Sequence, residues 1–400
     1  LAYPLSATLS LIGAEGVFLL YSRSQTEGQR LLTCIPAMLL CYWCFGYGAW
    51  LCLALMLAAG IIAHHQKLSA LLAVGILLLP ATQYPATTWW SKPDLDREYV
   101  LSLDVEHYFG NIQKMRKHLE TDRQILWVTY YRNLYNATHP SEINSPVSLS
   151  RNLLAWNQPG TNGLILPVNP SASFLSILFA NELWFTLGDM TMAEHCAMLS
   201  MIFSPRNSGS RMIKRLAEIN LVNGDDEAAL KYLRILDKTL LHKSWAEKRI
   251  PGQQTPRVKE WLEKKRRDIP TQDQLRSGND AVTSLQNLVA SNAGNLRAYE
   301  YLLCYHLLSK DLRSFVEDYV PGKVSSPIFA EALLIHLARQ GNIRAEELIK
   351  YQIPVEIAKE FADYTRLYEA KDTSLKEKYG KTYWFYYHFA TTEPGKESKP

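Results

Sequence analysis

Two Gly-Asp turns, each between two helical patterns, most strongly constrain how this chain can fold. Gly188-Asp189 and Gly224-Asp225 lie 36 residues apart. Apolar residues precede each turn at helical spacing, and small residues such as Ala193 and Ala197 follow the first one, where a second helix can pack closely. Ser171–Leu241 is therefore predicted to form two successive helical hairpins. A hairpin of this kind cannot bury its apolar face alone, so we expect neighbouring hairpins to stack.

The spacing of the turns is close to the roughly 34-residue period of tetratricopeptide repeats, which this region resembles. Pro205 follows the first hairpin where such repeats commonly end, but the second hairpin lacks this proline. Weaker copies are predicted around turns at Gly110-Asn111, Lys310-Asp311 and Gly341-Asn342. A generic bundle of amphipathic helices has the same apolar spacing and is the alternative.

The distribution of charge divides the chain into two regions. Residues 1–91 carry only Arg23, Arg30, Lys67, Glu15 and Glu27 as charges. Residues 31–63 carry none, and one helix of that length would extend about 50 Å, well beyond the hydrocarbon core of a membrane. We therefore expect three or four transmembrane helices in 1–91. The predicted fold class is all-α, with transmembrane helices followed by a tetratricopeptide-like α-solenoid.

The few basic residues of the first region suggest which side of the membrane it faces. By the positive-inside rule Arg23, Arg30 and Lys67 lie on the cytoplasmic side. The soluble domain is then expected on the opposite side, in the periplasm at a bacterial inner membrane. Membrane lipid is an expected partner of the predicted spans. A single crossing by residues 31–63 would reverse this orientation. The chain begins inside an apolar segment, so we expect it to be a fragment of a longer membrane protein.

Glu15 is the one ionisable residue inside a predicted span. A carboxylate at membrane depth is costly, so Glu15 is a candidate intramembrane functional residue. The alternative is an interfacial position, or a polar partner in an upstream helix.

Residues 92–390 are predicted to be a soluble helical repeat domain, and 391–400 a disordered tail. An irregular insertion at 139–171 interrupts the repeats with several prolines and glycines. Loops of this length in compact domains are often functional, and the apolar content of this one argues against disorder. The candidate partner-binding residues are Trp156, Asn157, Leu164 and Trp184.

The aromatic run from Tyr379 to Phe389 is predicted to be a capping helix or strand that covers the last apolar face of the solenoid. The alternative is an exposed platform on which a ligand stacks. Cys196 and Cys304 fall in predicted helices and are expected to be core residues.

The sequence contains no recognisable catalytic motif, so an enzyme is not favoured and no cofactor is expected. Asp104 and His107 form the only facing pair of one acidic and histidine cluster, and packing is the favoured explanation for them. The mixed signs of charge in 92–400 give no case for nucleic-acid binding.

Three segments carry a resemblance over most of the chain: Tyr130-Tyr131-Arg132-Asn133-Leu134, Leu187-Gly188-Asp189, and Tyr379 to Tyr387. Together with the predicted spans they resemble an uncharacterised family of multi-pass membrane proteins from Bacteroidota. That resemblance implies an architecture and a host but no catalytic residue. Two functions stay open: a membrane-anchored scaffold whose repeats bind a protein partner in the cell envelope, and the carboxy-terminal part of an envelope enzyme such as a lipid-linked glycosyltransferase or polymer ligase.

Overall fold

Helices form all the regular secondary structure in the part of the chain that the computed structural model describes. The described residues are Arg23 and 95–120, 123, 125–139, 149–155, 160–168, 173–204, 209–272 and 280–390. Within them the all-α prediction is confirmed. The helices, numbered along the chain, are α1 Leu95–Tyr108, α2 Ile112–Leu119, α3 Leu126–Thr138, α4 Leu149–Asn152, α5 Phe174–Leu187, α6 Met190–Ile202, α7 Ser210–Asn223, α8 Asp226–Asp237, α9 Lys243–Glu247, α10 Pro256–Arg266, α11 Ala281–Ser291, α12 Leu296–Leu308, α13 Leu312–Asp318, α14 Pro327–Arg339, α15 Ala345–Lys350, α16 Val355–Glu369, α17 Leu375–Tyr379 and α18 Tyr383–Phe389.

The prediction of transmembrane helices is wrong for the residues that the structure describes, because none of their helices is long and apolar enough to cross a membrane. The longest of them, α16, has 15 residues, whereas a span needs about 20 apolar ones. The predicted inner-membrane localisation is corrected for the same reason. The segment 1–91 in which the spans were expected, Glu15 and the tail 391–400 lie outside the described residues, apart from Arg23.

Both Gly-Asp turns join two consecutive helices, α5 to α6 and α7 to α8, with the same backbone geometry. Gly188 and Gly224 end α5 and α7 in the left-handed conformation, with φ of 91° and 81°. The aspartate that follows each glycine caps the next helix: Asp189 Oδ1 accepts a hydrogen bond from the Met192 amide at 2.8 Å, and Asp225 Oδ1 accepts one from Ala228 at 2.9 Å. Glycine thus ends one helix and aspartate begins the next.

The predicted turn at Lys310-Asp311 uses the same geometry without glycine. Lys310 adopts a φ of 59°, and Asp311 Oδ1 accepts a hydrogen bond from the Ser314 amide at 3.1 Å. Gly110 and Gly341 also have positive φ at the ends of their helices. Each predicted turn therefore joins two helices.

Most helices pack on the next helix along the chain. α5 packs on α6, α6 on α7, and α7 on α8, while α11 to α14 continue in the same order. Ala193 and Ala197 are fully buried where α6 contacts its neighbours, and the Asn181 side-chain amide donates to the Ala193 carbonyl at 2.6 Å. Helix α10 departs from this order and packs back on α7. These are stacked hairpins, and whether they are tetratricopeptide repeats stays a prediction.

The described part of the insertion lies across the helices and is held by buried polar contacts. Ser150, in α4, donates from its amide and its hydroxyl to one carboxylate oxygen of Glu300 on α12, at 2.8 and 2.6 Å. Further on, the Asn133 side-chain amide of α3 donates to the Gly163 carbonyl at 2.7 Å. Residues 160–168 contribute buried apolar side chains to the main core. The segment is therefore part of the folded domain.

The aromatic run forms helix α18, which covers α14 and α16. Tyr383 and Trp384 are fully buried, and the Trp384 indole N–H donates to the Glu331 carbonyl at 2.9 Å. The hydroxyls of Tyr383 and Tyr386 donate to the Leu307 and Leu308 carbonyls at the end of α12, at 2.9 and 2.8 Å. The run is a capping helix, and the alternative of an exposed stacking platform is wrong. Cys196 and Cys304 are buried, as predicted.

The two turn glycines differ in their surroundings, which gives a matched pair of substitutions. A Cβ on Gly188 would lie 2.3 Å from the Asp268 carbonyl oxygen, whereas a Cβ on Gly224 would meet nothing closer than 4.0 Å. The Asn295 side chain holds the Asp268 carbonyl at 2.7 Å. Gly224→Ala should cost about 1 kcal/mol for the backbone conformation alone. Gly188→Ala should cost about 3 kcal/mol or more, since the clash adds to that term. Urea unfolding of both variants measures the difference, and equal losses would contradict this geometry.

Glu331 contacts the first residue of the capping helix α18 and is expected to make the stability of the fold depend on pH. Burial raises the pKa of its carboxyl group to about 7, and one carboxylate oxygen accepts the Tyr383 amide at 2.5 Å. A carboxyl with a raised pKa stabilises the fold below its unfolded pKa, and this stability is lost as pH rises through 7. Between pH 4.5 and pH 8 the free energy of unfolding of wild type should therefore fall by about 1 to 3 kcal/mol more than that of Glu331→Gln. Thermal unfolding across that pH range tests this. Glu346→Gln, at an exposed position, should show the same dependence of stability on pH as wild type. If the stability of all three proteins changes equally with pH, the prediction is wrong.

Candidate functional site

One pocket lies where the insertion crosses the helices. We name it the insertion pocket: a half-open cavity of about 150 Å³ between the 160–168 segment, α5 and the start of α11. It is lined by Thr161, Asn162, Ile165, Leu166, Pro167, Val168, Trp184, Met192, Asp280, Ala281 and Tyr305. Apolar side chains of the insertion form one wall, and polar groups from several elements share the rim. This mixture of apolar walls and few polar groups is typical of binding pockets.

Trp184 is the largest side chain of the insertion pocket. It is 1% exposed, and its indole nitrogen has no hydrogen-bond acceptor among the described residues. A buried N–H without an acceptor is costly, and in native proteins such groups usually have a partner or a functional explanation. An acceptor supplied by a bound ligand would satisfy it.

The predicted partner-binding residues have different outcomes in the structure. Trp184 lines the insertion pocket, whereas Leu164 is fully buried in the core and offers no surface to a partner. Trp156 and Asn157 lie outside the described residues. Of the predicted set, the structure therefore places Trp184 alone at a cavity.

A second group of residues surrounds the predicted Asp104 and His107 pair on α1. Asp104 is 5% exposed and receives the Tyr131 hydroxyl at 2.5 Å. The Arg211 guanidinium on α7 donates to both of its oxygens, at 2.5 and 2.8 Å. This bidentate pair joins the first described helix to the second hairpin, and such pairs fix geometry as well as contribute energy.

Glu182 on α5 lies at the centre of this group. It accepts hydrogen bonds from Arg211 at 2.8 Å and from Arg215 at 2.5 Å, and His107 Nε2 lies 3.7 Å away. Burial alone would raise the pKa of Glu182, but the positive charges of Arg215 and Arg211 outweigh burial and hold that pKa well below its usual range. Glu182 is therefore a carboxylate at neutral pH.

A second pocket opens beside these ion pairs. We name it the charged pocket: a half-open cavity of about 150 Å³ lined by His107, Tyr108, Glu182, Phe185, Arg211, Lys214, Arg215, Glu218 and Trp261. Its cations lie against aromatic rings, with Arg215 3.9 Å from the centre of Phe185 and Lys214 4.5 Å from that of Tyr108. Such cation–π contacts fix the positions of the charges. The pocket therefore presents ordered positive groups to solvent.

Sequence reasoning missed most of the charged pocket. Asp104 and His107 form a recognisable pair on one helix, but Glu182 and Arg215 belong to the predicted repeat helices, where the apolar spacing indicates packing. The signal that could have found them is the presence of charged residues inside otherwise apolar helices. Among the described residues no group of three His, Cys, Asp or Glu side chains could hold a metal ion.

The central carboxylate offers a direct test of the ion-pair network. Glu182→Gln removes the carboxylate closest to the buried Arg215 and leaves that guanidinium only the longer ion pair with Glu218, so we expect a loss of about 3 to 5 kcal/mol in the free energy of unfolding at pH 7. A carboxyl with a lowered pKa stabilises the fold above its unfolded pKa of about 4.3, and that stability is lost as pH falls through the folded value. The difference in the free energy of unfolding between wild type and Glu182→Gln should therefore become smaller below pH 4. Urea unfolding at several pH values measures it, with the exposed Glu263→Gln as control. A variant within about 0.5 kcal/mol of wild type at pH 7 would show that the network is dispensable.

Comparison with known proteins gives a family but no activity. Residues 66–390 match a family described as Family of unknown function (DUF6057). No curated protein and no solved structure matches the chain. The expectation of an uncharacterised family is confirmed at this level, and a function has to be argued from the contacts described above.

Proposed function

Because the chain belongs to the family of unknown function DUF6057, we propose a function from its own contacts: it is a helical scaffold that binds an extended segment of a partner protein in the insertion pocket. The observation that carries this proposal is the insertion itself. Residues 160–163 form a short 3-10 helix, and residues 164–168 follow it as a non-helical segment that the helices already bind within the same chain. A second segment of the same kind, from another protein, is the occupant we propose.

The contacts of the insertion indicate how such a segment is held. The Asn133 side chain donates to a main-chain carbonyl at Gly163, while Leu164 and Leu166 are buried against the helices at 0% and 1% exposure. A hydrogen bond to the main chain, combined with buried apolar side chains, is a general mode of peptide recognition. A similar segment of another chain would bind beside the insertion, at the insertion pocket that residues 161–168 help to line.

The insertion pocket extends this binding surface. The Trp184 indole N–H supplies a donor without an acceptor, which suits a main-chain carbonyl of the partner. Ile165 and Met192 supply apolar walls for one of its side chains. An extended segment with an apolar residue next to a free carbonyl is thus the ligand that matches the pocket.

The finer parts of the sequence-based hypothesis belong to this proposal. A tetratricopeptide-like repeat and a Bacteroidota host are both compatible with a partner-binding scaffold. The alternative of an envelope enzyme depended on groups in upstream membrane spans, and no observation on the described residues favours it. We therefore propose one function only.

Site-specific photo-crosslinking of the full chain in its native cells tests the proposal. A photoreactive residue in place of Asn162, exposed on the rim of the insertion pocket, should give one discrete protein adduct. The same residue at Lys238, which is exposed directly after α8 and is not part of the pocket lining, should not. Ala281→Trp, which places a large side chain at the pocket wall, should abolish the Asn162 adduct. Identical adducts at both positions, or an adduct that Ala281→Trp leaves unchanged, would refute the proposal.

Mass spectrometry of the adduct identifies the crosslinked segment, which can then be synthesised as a peptide. Trp184→Phe should weaken its binding by about fivefold or more, because the variant cannot donate the hydrogen bond. Circular dichroism of the variant controls for folding. Unchanged affinity would exclude the indole N–H from recognition.

A further inference from the structure

We infer that the charged pocket binds a single phosphate group, either inorganic phosphate or the phosphate of a monoester. This pocket is different from the insertion pocket, so the inference stands or falls independently of the proposed function. It rests on the excess of positive charge in and around the cavity, on hydrogen-bond donors that have no acceptor, and on the ordered positions of the cations.

The charges around the cavity do not balance. Three cations line it, with two more beside it, namely Arg211, Lys214, Arg215, Arg249 and Lys265. Their ion-pair partners among the described carboxylates are Asp104, Glu182 and Glu218. Asp268, which also acts on Lys265, is matched by Arg297. The cluster therefore has two positive charges in excess. A phosphate dianion neutralises both of them, whereas a carboxylate neutralises only one.

Several donors of these cations are unused. The Nε atoms of Arg211 and Arg215 are buried and have no hydrogen-bond acceptor among the described residues. The whole Arg215 side chain is only 9% exposed. Lys214 forms no ion pair with any described carboxylate, and its ammonium group lies 3.3 Å from the Tyr108 hydroxyl. Buried guanidinium groups are expensive when their donors are unmatched. An oxyanion with several acceptor atoms satisfies them together.

Glu218 is the internal competitor for this site. Its carboxylate forms an ion pair with Arg215 on the same helix, at the longer distance of 3.4 Å from Nη1. Glu182, in contrast, is fully engaged by two arginines. A bound phosphate would therefore be repelled mainly by Glu218. This predicts an uncommon result, namely that removal of one acidic side chain strengthens anion binding.

Lys265 lies near the charged pocket, and its pKa is affected by the charges around it. Its ammonium group lies 4.5 Å from the Phe185 ring centre and 3.4 Å from the Phe185 carbonyl. Burial is the main cause that lowers its pKa to about 8; Arg215 and Arg297 act in the same direction, and Asp268 and Glu218 oppose them. An anion bound beside Arg215 would raise this pKa and draw a proton onto Lys265.

Calorimetric titration of the full chain with inorganic phosphate at pH 7 tests the inference, with phenyl phosphate as the monoester and acetate and chloride at matched ionic strength as comparison anions. Wild type should bind phosphate with saturation, and acetate and chloride should give no saturable heat. A tighter constant for phenyl phosphate would assign the source to a phosphorylated molecule, and a tighter constant for phosphate to the free ion. Equal responses to phosphate and acetate would overturn the assignment.

Three substitutions locate the binding. Lys214→Gln should weaken phosphate binding by about tenfold or more, because it removes a charged donor at the cavity. Lys238→Gln removes the same charge from the exposed position directly after α8 and should leave binding unchanged. Glu218→Gln should strengthen binding by about threefold or more, since it removes the competitor. If the two lysine variants bind alike, or if Glu218→Gln has no effect, phosphate is not bound in the charged pocket.

A measurement of proton uptake adds a readout that unfolding cannot imitate. At pH 8 Lys265 is about half protonated given its pKa, so phosphate binding should take up a fraction of a proton there and almost none at pH 6. Titrations in two buffers with different ionisation enthalpies measure the uptake. Lys265→Met should abolish the buffer dependence that exceeds the titration of phosphate itself. Persistence of that excess in the variant would contradict the placement of the anion beside Lys265.

Discussion

The buried carboxylate of Glu182 is the interaction on which the relative positions of the first helices depend. It lies on α5, while its two arginine partners, Arg211 and Arg215, lie one turn apart on α7. Arg211 also holds Asp104 on α1, so one guanidinium connects three helices. The hydrophobic effect has no direction, so apolar burial alone specifies the register of two helices less strictly than paired charges do. Buried charges permit few alternatives, since a displaced helix would leave a charge unpaired.

Helix ends impose the second constraint. The left-handed glycine at Gly188 stops α5, and Asp189 starts α6 within one residue, so the hairpin has almost no freedom in its connection. The close approach of the Asp268 carbonyl shows that the glycine is required for packing as well as for the turn. A short connection fixes the length of both helices, and the ion pairs then fix their register. Turn and charge together determine the stacking of the hairpins.

Sequence patterns predicted the elements better than the sites. The turns from Gly110 to Gly341, the burial of Ala193 and Ala197 and the capping role of Tyr383 and Trp384 follow from local chemistry, which one sequence displays. The charged pocket brings together α1, α5, α7 and α10, and no local pattern reports which charges meet across four helices. The transmembrane prediction extrapolated from composition in 1–91 and finds no support among the described helices, which are too short for a span.

Helix α5 explains why both cavities escaped the pattern analysis. It is apolar nearly all round and buried on opposite sides, so it has no polar face that would mark a solvent-facing surface. Trp184 lines the insertion pocket, whereas its neighbour Phe185 and the preceding Glu182 line the charged pocket. Residues 182 and 185 share a helical face, and residue 184 lies about 100° away from 185. One helix thus forms a wall of both pockets and contributes a polar side chain to each, Glu182 to the charged pocket and Trp184 to the insertion pocket.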